Sequence, residues 1–472
     1  MRTLRPHKLY AVGALTAAVY LAALVFYREG PAAHTRTGKE LFAWFICLSL
    51  LPLYVWGYRV VSGEGETAGA RTVVLFSAAF CLLALFTHPF HSTDVFGYVN
   101  RGWQQVHYGL NPYEHRLADV PGWREDPMFR EHWLYNPTPY GFLFMLLARA
   151  VCAAGGGNWW ATVLLFKAVN VAAFAGSAWL VWAATRRLNA AGRVRSLYLL
   201  TWSPLLLMHH VANGHNDLLT GFFVTLALYF AFAGRELWII PALSAATLLK
   251  YGPAVLIPFA LVFVVRRKGW GVGLAGCAIS AALTVVVTAP YLADWERLRL
   301  EDIRDNATLI DNSLHSLLIH LYGTAALALP PLAAGRDEVD AVIRFTLRLG
   351  FVAFLVYQFV RLPRDFAPAA FAEKALLVLF VLICVVSSKF NAWYLGMLLP
   401  AALMLEEGRA LRRVTVAVSG GELLSLTFFK QAYMLNYFAM VLVPAWLALR
   451  KNCGRARVTD DPGPPAGALH EL

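Results

Sequence analysis

Charge is scarce in this chain. Asp, Glu, Lys and Arg together make up 15% of its 472 residues, against about 25% in an average soluble domain. That scarcity excludes an ordinary soluble enzyme. The six cysteines, Cys47, Cys81, Cys152, Cys277, Cys384 and Cys453, form no CxxC pair and no metal-ligand spacing, which leaves them as structural thiols. No D-x-D motif is present, so nothing marks a soluble nucleotide-sugar domain. No cleavable leader is expected either: Leu9–Phe26 is apolar but has no small-residue cleavage site, and a second apolar segment follows it, so it reads as the first span.

What is abundant is apolar: 58% of the residues, with a mean hydropathy of +0.54. These values define an all-α polytopic integral membrane protein. The net charge of +12 is concentrated in short loops (Arg186, Arg187, Arg193 and Arg195; Arg266, Arg267 and Lys268; Arg409, Arg412 and Arg413). Such clustering is the signature of cytoplasmic loops and argues against nucleic acid as a partner; the surrounding partners are membrane lipids.

A spanning helix needs about 20 mostly apolar residues. Segments of that kind run near 9–26, 41–60, 72–87, 159–183, 196–212, 218–234, 237–265, 271–291, 341–360, 374–388, 392–405, 414–428 and 431–448, a bundle of about 13 transmembrane helices. Lys250-Tyr251-Gly252-Pro253 interrupts 237–265, predicting a broken helix of the kind that lines cavities. With the basic N-terminus placed inside, the crossings balance if 137–158 and 314–330 are re-entrant or interfacial. Residues 1–457 then form one membrane domain, with extracytoplasmic loops at 88–136 and 292–313 and a disordered cytoplasmic tail at 458–472. Five polar islands, around Asp94, Tyr140, Asp217, Lys250 and Lys389, gather on one membrane face.

Asp94 is the most informative of these positions. An acid at a membrane boundary, in His88-Pro89-Phe90-His91-Ser92-Thr93-Asp94-Val95-Phe96-Gly97-Tyr98, is either a helix cap or a functional group. Tyr98 and Arg101 follow one and two turns later on the same helical face, which favours function. Gly109-Leu110-Asn111-Pro112-Tyr113 reads as a turn ending this interfacial helix, with Asn111 and Tyr113 available to a pocket. Tyr140 starts the short segment after two prolines. His215, Asn216 and Asp217 sit at a turn between spans, where Asp217 either caps the next helix or orients a sugar hydroxyl, a metal or a cation. His91, Asp94 and Asp217 are metal-competent, but no spacing is diagnostic; no cofactor is required, and a divalent metal stays open. A mid-helix lysine costs roughly 2.5–3.5 kcal/mol, so Lys250 must either snorkel or meet an anion. Lys389 is a second such cation, and Arg101 a third. The loop Asp294–Asn312 is either a lid or a solvated face.

The ordered set Ser92–Tyr98, Gly109–Tyr113, Pro139-Tyr140-Gly141, Ser203-Pro204-Leu205, Gly214-His215-Asn216-Asp217, Leu248–Ala254 and Asn391-Ala392-Trp393-Tyr394 resembles GT-C glycosyltransferases that use polyprenyl-phosphate sugars. The likeness is greatest to polyprenol-phosphomannose-dependent alpha-1,6-mannosyltransferases. It implies a GT-C bundle in the bacterial inner membrane, with an extracytoplasmic site. There a hexose, by this likeness mannose, moves with inversion from a polyprenyl-phosphate donor to a glycan, glycolipid or protein acceptor of the cell envelope. Asp94 takes the role of general base. The expected donor-phosphate ligands are Lys250, Lys389 and Arg101. Tyr98, Asn111, Tyr113, Tyr140, His215, Asn216, Asp217, Trp393 and Tyr394 are expected around the sugar and acceptor. The rival from another class is a lipid or solute transporter, which also uses broken helices and buried charges.

Overall fold

The computed structural model describes residues 5–28, 35–62, 66–135, 138–188, 192–293, 296, 298, 309–329, 335–421, 423 and 436–456. The expected tail 458–472 and most of the charged loop 292–313 lie outside them. Everything regular among the described residues is helical, apart from one isolated bridge between Asp311 and Lys389.

Three long helices open the chain: α1 (Arg5–Phe26), α2 (Arg36–Val61) and α3 (Glu66–Phe86). The next is α4 (Asp94–His107), followed by α5 (Phe142–Gly155), α6 (Trp159–Leu188), α7 (Arg193–Thr201), α8 (Asp217–Ala233), α9 (Ile239–Leu249), α10 (Ile257–Lys268) and α11 (Trp270–Thr288). The second half holds α12 (Leu314–Ala328), α13 (Arg336–Val360), α14 (Pro368–Val381), the short α15 (Leu399–Leu403), α16 (Ala410–Gly421) and α17 (Val443–Ala456). Among the described residues, six helical stretches are long and apolar enough to cross a bilayer: His7–Phe26, Thr37–Val61, Gly69–Phe86, Trp159–Arg186, Trp270–Tyr291 and Pro368–Val386. The pair Leu206–Ala212 and Asp217–Ala233, bent by 113°, makes a seventh if it is one broken span. Other expected spans, such as 237–265 and 392–405, are divided into shorter helices, and part of 414–428 and of 431–448 lies outside the described residues.

The apolar surface is what a lipid environment requires. Leu21, Val25, Leu75, Val285, Val286, Phe345, Val352 and Val356 all point outward and are exposed. The main apolar interior is one cluster drawn from α1–α3, α6–α10 and α14–α16, and a second packs α4 against α5 and α6. The segment expected to be re-entrant contains α5, whose 14 residues reach about 21 Å, short of a hydrocarbon core about 30 Å thick.

The breaks position everything polar. Lys250 leaves the helix of α9 in an extended conformation (φ −154°, ψ 127°), and Pro253 follows. The last carbonyls of a helix have no partner inside it. Here the amide of Gly141 donates to Leu249 O at 3.1 Å. A Cβ on Gly141 would stand 2.2 Å from Leu248 O, so only glycine allows α5 to begin this close to the end of α9. The second break holds Asn213 and Gly214, the latter at φ +79°. The Asn213 side-chain oxygen accepts from the amides of Phe90 and His91, both at 2.8 Å, and its Nδ2 donates to Met208 O at 2.7 Å. One buried amide thus ties the loop that delivers Asp94 to the bend that delivers Asp217. The third break, Ser387–Asn391, pairs with Asp311: Asp311 N donates to Ser388 O at 3.0 Å and Phe390 N to Asp311 O at 2.9 Å.

Asn213→Ala strands two backbone amides of the Asp94 loop. The expected cost is about 1–3 kcal/mol, read as a lower unfolding temperature of the detergent-purified protein; an unchanged midpoint contradicts this anchoring.

Candidate active site

α4 carries the first wall of the site. Its Asp94 opens the first turn, with the Asp94 amide donating to Ser92 Oγ at 3.2 Å. Asp94, Gly97, Tyr98 and Arg101 line one cavity, as expected of residues spaced along one helical face. The helix ends at His107, Gly109 takes φ +66°, and the amide of Tyr113 donates to Asn111 Oδ1 at 3.1 Å, the expected turn.

The cavity holds about 240 Å³ and draws on every break. Asn216 and Asp217 come from the bend before α8, Lys250 from the end of α9, and Pro139 and Tyr140 from the approach to α5. Lys389, Asn391, Trp393 and Tyr394 come from the third break, and Leu309 and Asp311 from the described end of the charged loop. All five islands read from the sequence meet here.

Three of the expected residues stand behind the wall. Asn111 Nδ2 donates to Tyr291 O at 3.0 Å and to Glu114 Oε1 at 2.6 Å, fixing the loop to the end of α11. Tyr113 is buried, its hydroxyl donating to Tyr140 O at 2.8 Å. His215 stacks flat against Trp393, ring centroids 3.9 Å apart at 12°, and turns Nδ1 toward Asp94 Oδ2 at 3.3 Å. His91 faces His209 edge to face, with centroids 4.9 Å apart. Among the described residues no group of three His, Cys, Asp or Glu side chains is arranged to hold a metal ion, and His91, Asp94 and Asp217 form no such group.

Lys250 finds the anion that its burial demands inside the protein. Its ammonium binds the carboxylate of buried Asp217 and lies 4.1 Å from the centroid of the Tyr394 ring. Lys389 stands 5.1 Å from the centroid of Trp133. The cavity therefore sets Asp94, Asp217 and Asp311 against Arg101, Lys250 and Lys389.

His132 and Trp133 also line the site, although sequence reasoning passed over them. Their only local signal is an aromatic run, His132–Tyr135, inside an otherwise polar loop. His132 Nε2 lies 3.5 Å from Asp94 Oδ1, and its Nδ1 lies 2.7 Å from Thr93 Oγ1. Asp94 is thus held between two imidazoles. Burial alone would raise the Asp94 carboxyl, but the contacts from His132 and His215 outweigh it and hold the group well below the usual carboxylate range. Asp311 differs: burial pushes its carboxyl up, and Lys389 only partly opposes this.

These features define a class: a multi-pass helical membrane protein with a cavity of paired acids and cations where its helix breaks meet. The chain belongs to the alpha-(1->6)-mannopyranosyltransferase family, whose model, described as "Alpha-(1->6)-mannopyranosyltransferase, N-terminal domain", matches residues 8–266. It is similar to Alpha-(1->6)-mannopyranosyltransferase A of Mycobacterium tuberculosis, 28% identical over 264 residues, which cover 54% of this chain and 48% of that protein. The corresponding protein of Corynebacterium glutamicum is 23% identical over 261 residues, covering 50% of this chain and 52% of its own length. The match thus spans about half the length of these relatives. No solved structure matches the chain.

Without its histidines, the half-buried Asp94 carboxyl would take up a proton above the usual carboxylate range. Held low, Asp94 should stay ionised on acidification from about pH 7 to about pH 5, above the ordinary value of about 3.9. Infrared difference spectra against Asp94→Asn test this; a protonated-carboxyl band growing in over that range contradicts it.

Proposed function

We propose that this protein transfers a hexose, namely mannose, from a polyprenyl-phosphate donor to a hydroxyl of an envelope glycan or glycolipid, on the extracytoplasmic face of the bacterial inner membrane. The observation that carries the reading is the meeting of an ionised carboxylate and three cations in one cavity of a mannopyranosyltransferase-family chain.

The chemistry follows from what each group offers. Asp94, kept ionised by His132 and His215, accepts the proton of the acceptor hydroxyl as that oxygen attacks the anomeric carbon. Lys250, Lys389 and Arg101 hold the departing lipid phosphate, whose charge grows in the transition state. Because Lys250 already binds Asp217, an arriving phosphate competes with that carboxylate, which is then available to a sugar hydroxyl. Tyr98, Tyr140, Trp393 and Tyr394 present ring faces to the sugar, and Asn216 supplies an amide. His215 acts from behind, through Asp94 and Trp393; Asn111 and Tyr113 brace the wall. One displacement inverts the anomeric centre, so an alpha product of the kind in the relatives' names requires a beta-linked donor.

The orientation is supported by the helix ends. α8 and α9 each have one end at the cavity, and α10 runs on from the break after Lys250; the far ends of these helices carry Arg235, Glu236 and Arg266–Lys268. There Arg267 pairs with Glu236 at 3.1 Å, and Arg266 donates to Pro363 O at 2.7 Å. Arg195 pairs with Glu407 at 2.6 Å, joining two further basic loops. Positive-inside bias puts these ends in the cytoplasm and the cavity outside.

In proteoliposomes supplied with polyprenyl-phospho-mannose and a panel of acceptors, Asp94→Asn should lower kcat by about 10²-fold or more. Lys389→Met should lower both kcat and kcat/KM for the donor, because its contact with the phosphate strengthens as the bond breaks. Wild-type rates in Asp94→Asn would remove the base assignment, and movement of donor across the bilayer without sugar transfer would establish a transporter instead.

A further inference from the structure

The base must be reset after each transfer, and the segment Arg130–Tyr135 addresses that step. Two hydrogen bonds between the same residues clamp it to α4: Asn100 Nδ2 donates to Arg130 O at 2.8 Å, and Arg130 N to Asn100 Oδ1 at 3.0 Å. Asn100 is fully buried. Trp133 is held at φ +48°, an uncommon conformation for a bulky residue. The consequence is the seat of His132. Its ring lies against Gly97, where an added Cβ would come within 2.8 Å of the imidazole Cδ2. Both ring nitrogens are engaged within the protein. Nδ1 is taken by Thr93 Oγ1 and Nε2 faces Asp94 Oδ1, so His132 cannot itself attack the acceptor proton.

We propose that His132 is a proton-relay residue that takes the acceptor's proton from Asp94 and releases it to water. The proposal rests on the transfer reaction above. During transfer the acceptor O–H bond breaks, and its proton goes to a carboxylate oxygen of Asp94. The bond from acceptor oxygen to the anomeric carbon forms as the bond from that carbon to the phosphate oxygen breaks, the electron pair leaving with the phosphate. In the resting site the Nε2–H of the His132 imidazolium faces the ionised Asp94 and Nδ1–H donates to Thr93 Oγ1. Once Asp94 carries the acceptor's proton, the imidazolium gives its Nε2 proton to water and the Asp94 O–H proton passes to the vacated Nε2 lone pair, restoring the ionised Asp94 beside its imidazolium.

Position distinguishes His132 from the other imidazole. The His215 side chain is 1% exposed and packed under Trp393 beside buried His209 and His210; a proton sent there has no way out. His132 is 12% exposed. It lines the cavity on one side and a shallow surface depression, formed by Glu131–Tyr135, on the other. When sugar and lipid phosphate fill the cavity, this side chain connects Asp94 to solvent. The charged and titratable groups around it are Asp94, His215 across the same carboxylate, Glu131 next in the chain, and Lys389 and Asp311 along the cavity wall.

The test is transfer kinetics against pH, with polyprenyl-phospho-mannose and an acceptor hydroxyl, for the reconstituted wild type, His132→Gln, His132→Ala and Thr93→Val. His132→Gln should lower kcat by about 10- to 100-fold with KM within about twofold, and should lose one limb of the wild-type pH profile. Added imidazole should restore part of kcat in His132→Ala, which a purely structural role would not allow. Thr93→Val keeps the imidazole but removes its Nδ1 partner; it should displace the same limb, and it carries the test if the His132 variants do not fold. Wild-type kcat and pH profile in these variants overturn the relay, as does a loss confined to KM or untouched by imidazole. Absence of transfer by the wild-type protein overturns the proposed function, and the relay with it.

Discussion

Backbone that leaves a helix inside an apolar bundle must find partners for the amides and carbonyls it uncovers. Most of the polar architecture of this protein follows from that constraint. The end of α9 is met by the amide of Gly141, the bend before α8 is met by the Asn213 side chain, and the break at Ser387–Asn391 is met by the main chain of Asp311. Each break engages a helix start or loop from elsewhere in the chain, and residues from all of them line one cavity. Polar side chains at helix ends are then carried to the same place. Lys250, Asp217 and Lys389 converge because the breaks do.

The charges inside the cavity are arranged to be exchanged. Asp217 neutralises Lys250 in a site where neither ion could stand alone without a large desolvation cost. An anionic phosphate is the natural competitor for that lysine, and the carboxylate it displaces is placed to take a sugar hydroxyl in return. Among the described residues, the charged or titratable side chains that contact the Asp94 carboxylate are His132 and His215. Imidazoles keep a carboxylate ionised while still able to take its proton. A permanent cation would do only the first. The difference in partners separates a residue built for binding from one built for proton transfer.

Sequence reasoning reached the parts of this site that are encoded by period and by interruption. Asp94, Tyr98 and Arg101 share a face because helical geometry puts them there. Lys250 was visible as a charge followed by Gly-Pro inside an apolar run, and Trp393 and Tyr394 as an aromatic pair beside Lys389. Asn111 and Tyr113 looked equally suited to a pocket, yet their polar atoms are consumed in holding the loop to Tyr291 and Tyr140. His215 shares a motif with Asn216 and Asp217, but the left-handed turn at Gly214 sends it under Trp393 instead. His132 and Trp133 carry no periodic signal. Their place is set by the clamp between Asn100 and Arg130, a tertiary contact that spacing does not reveal. Long helices such as α1, α2 and α6 matched their apolar runs closely; the broken ones emerged as several short pieces, because hydropathy reports burial in lipid or protein without reporting continuity.

The central claim is that one cavity presents a base to the acceptor and cations to a lipid phosphate. A cryo-EM structure with a non-transferable polyprenyl-phospho-mannose analogue tests it directly. The account predicts phosphate density bridging Lys250 and Lys389, with the anomeric carbon facing the Asp94 carboxylate across a space that fits one acceptor oxygen. Phosphate bound away from both lysines, or a sugar whose anomeric carbon points away from Asp94, would contradict it.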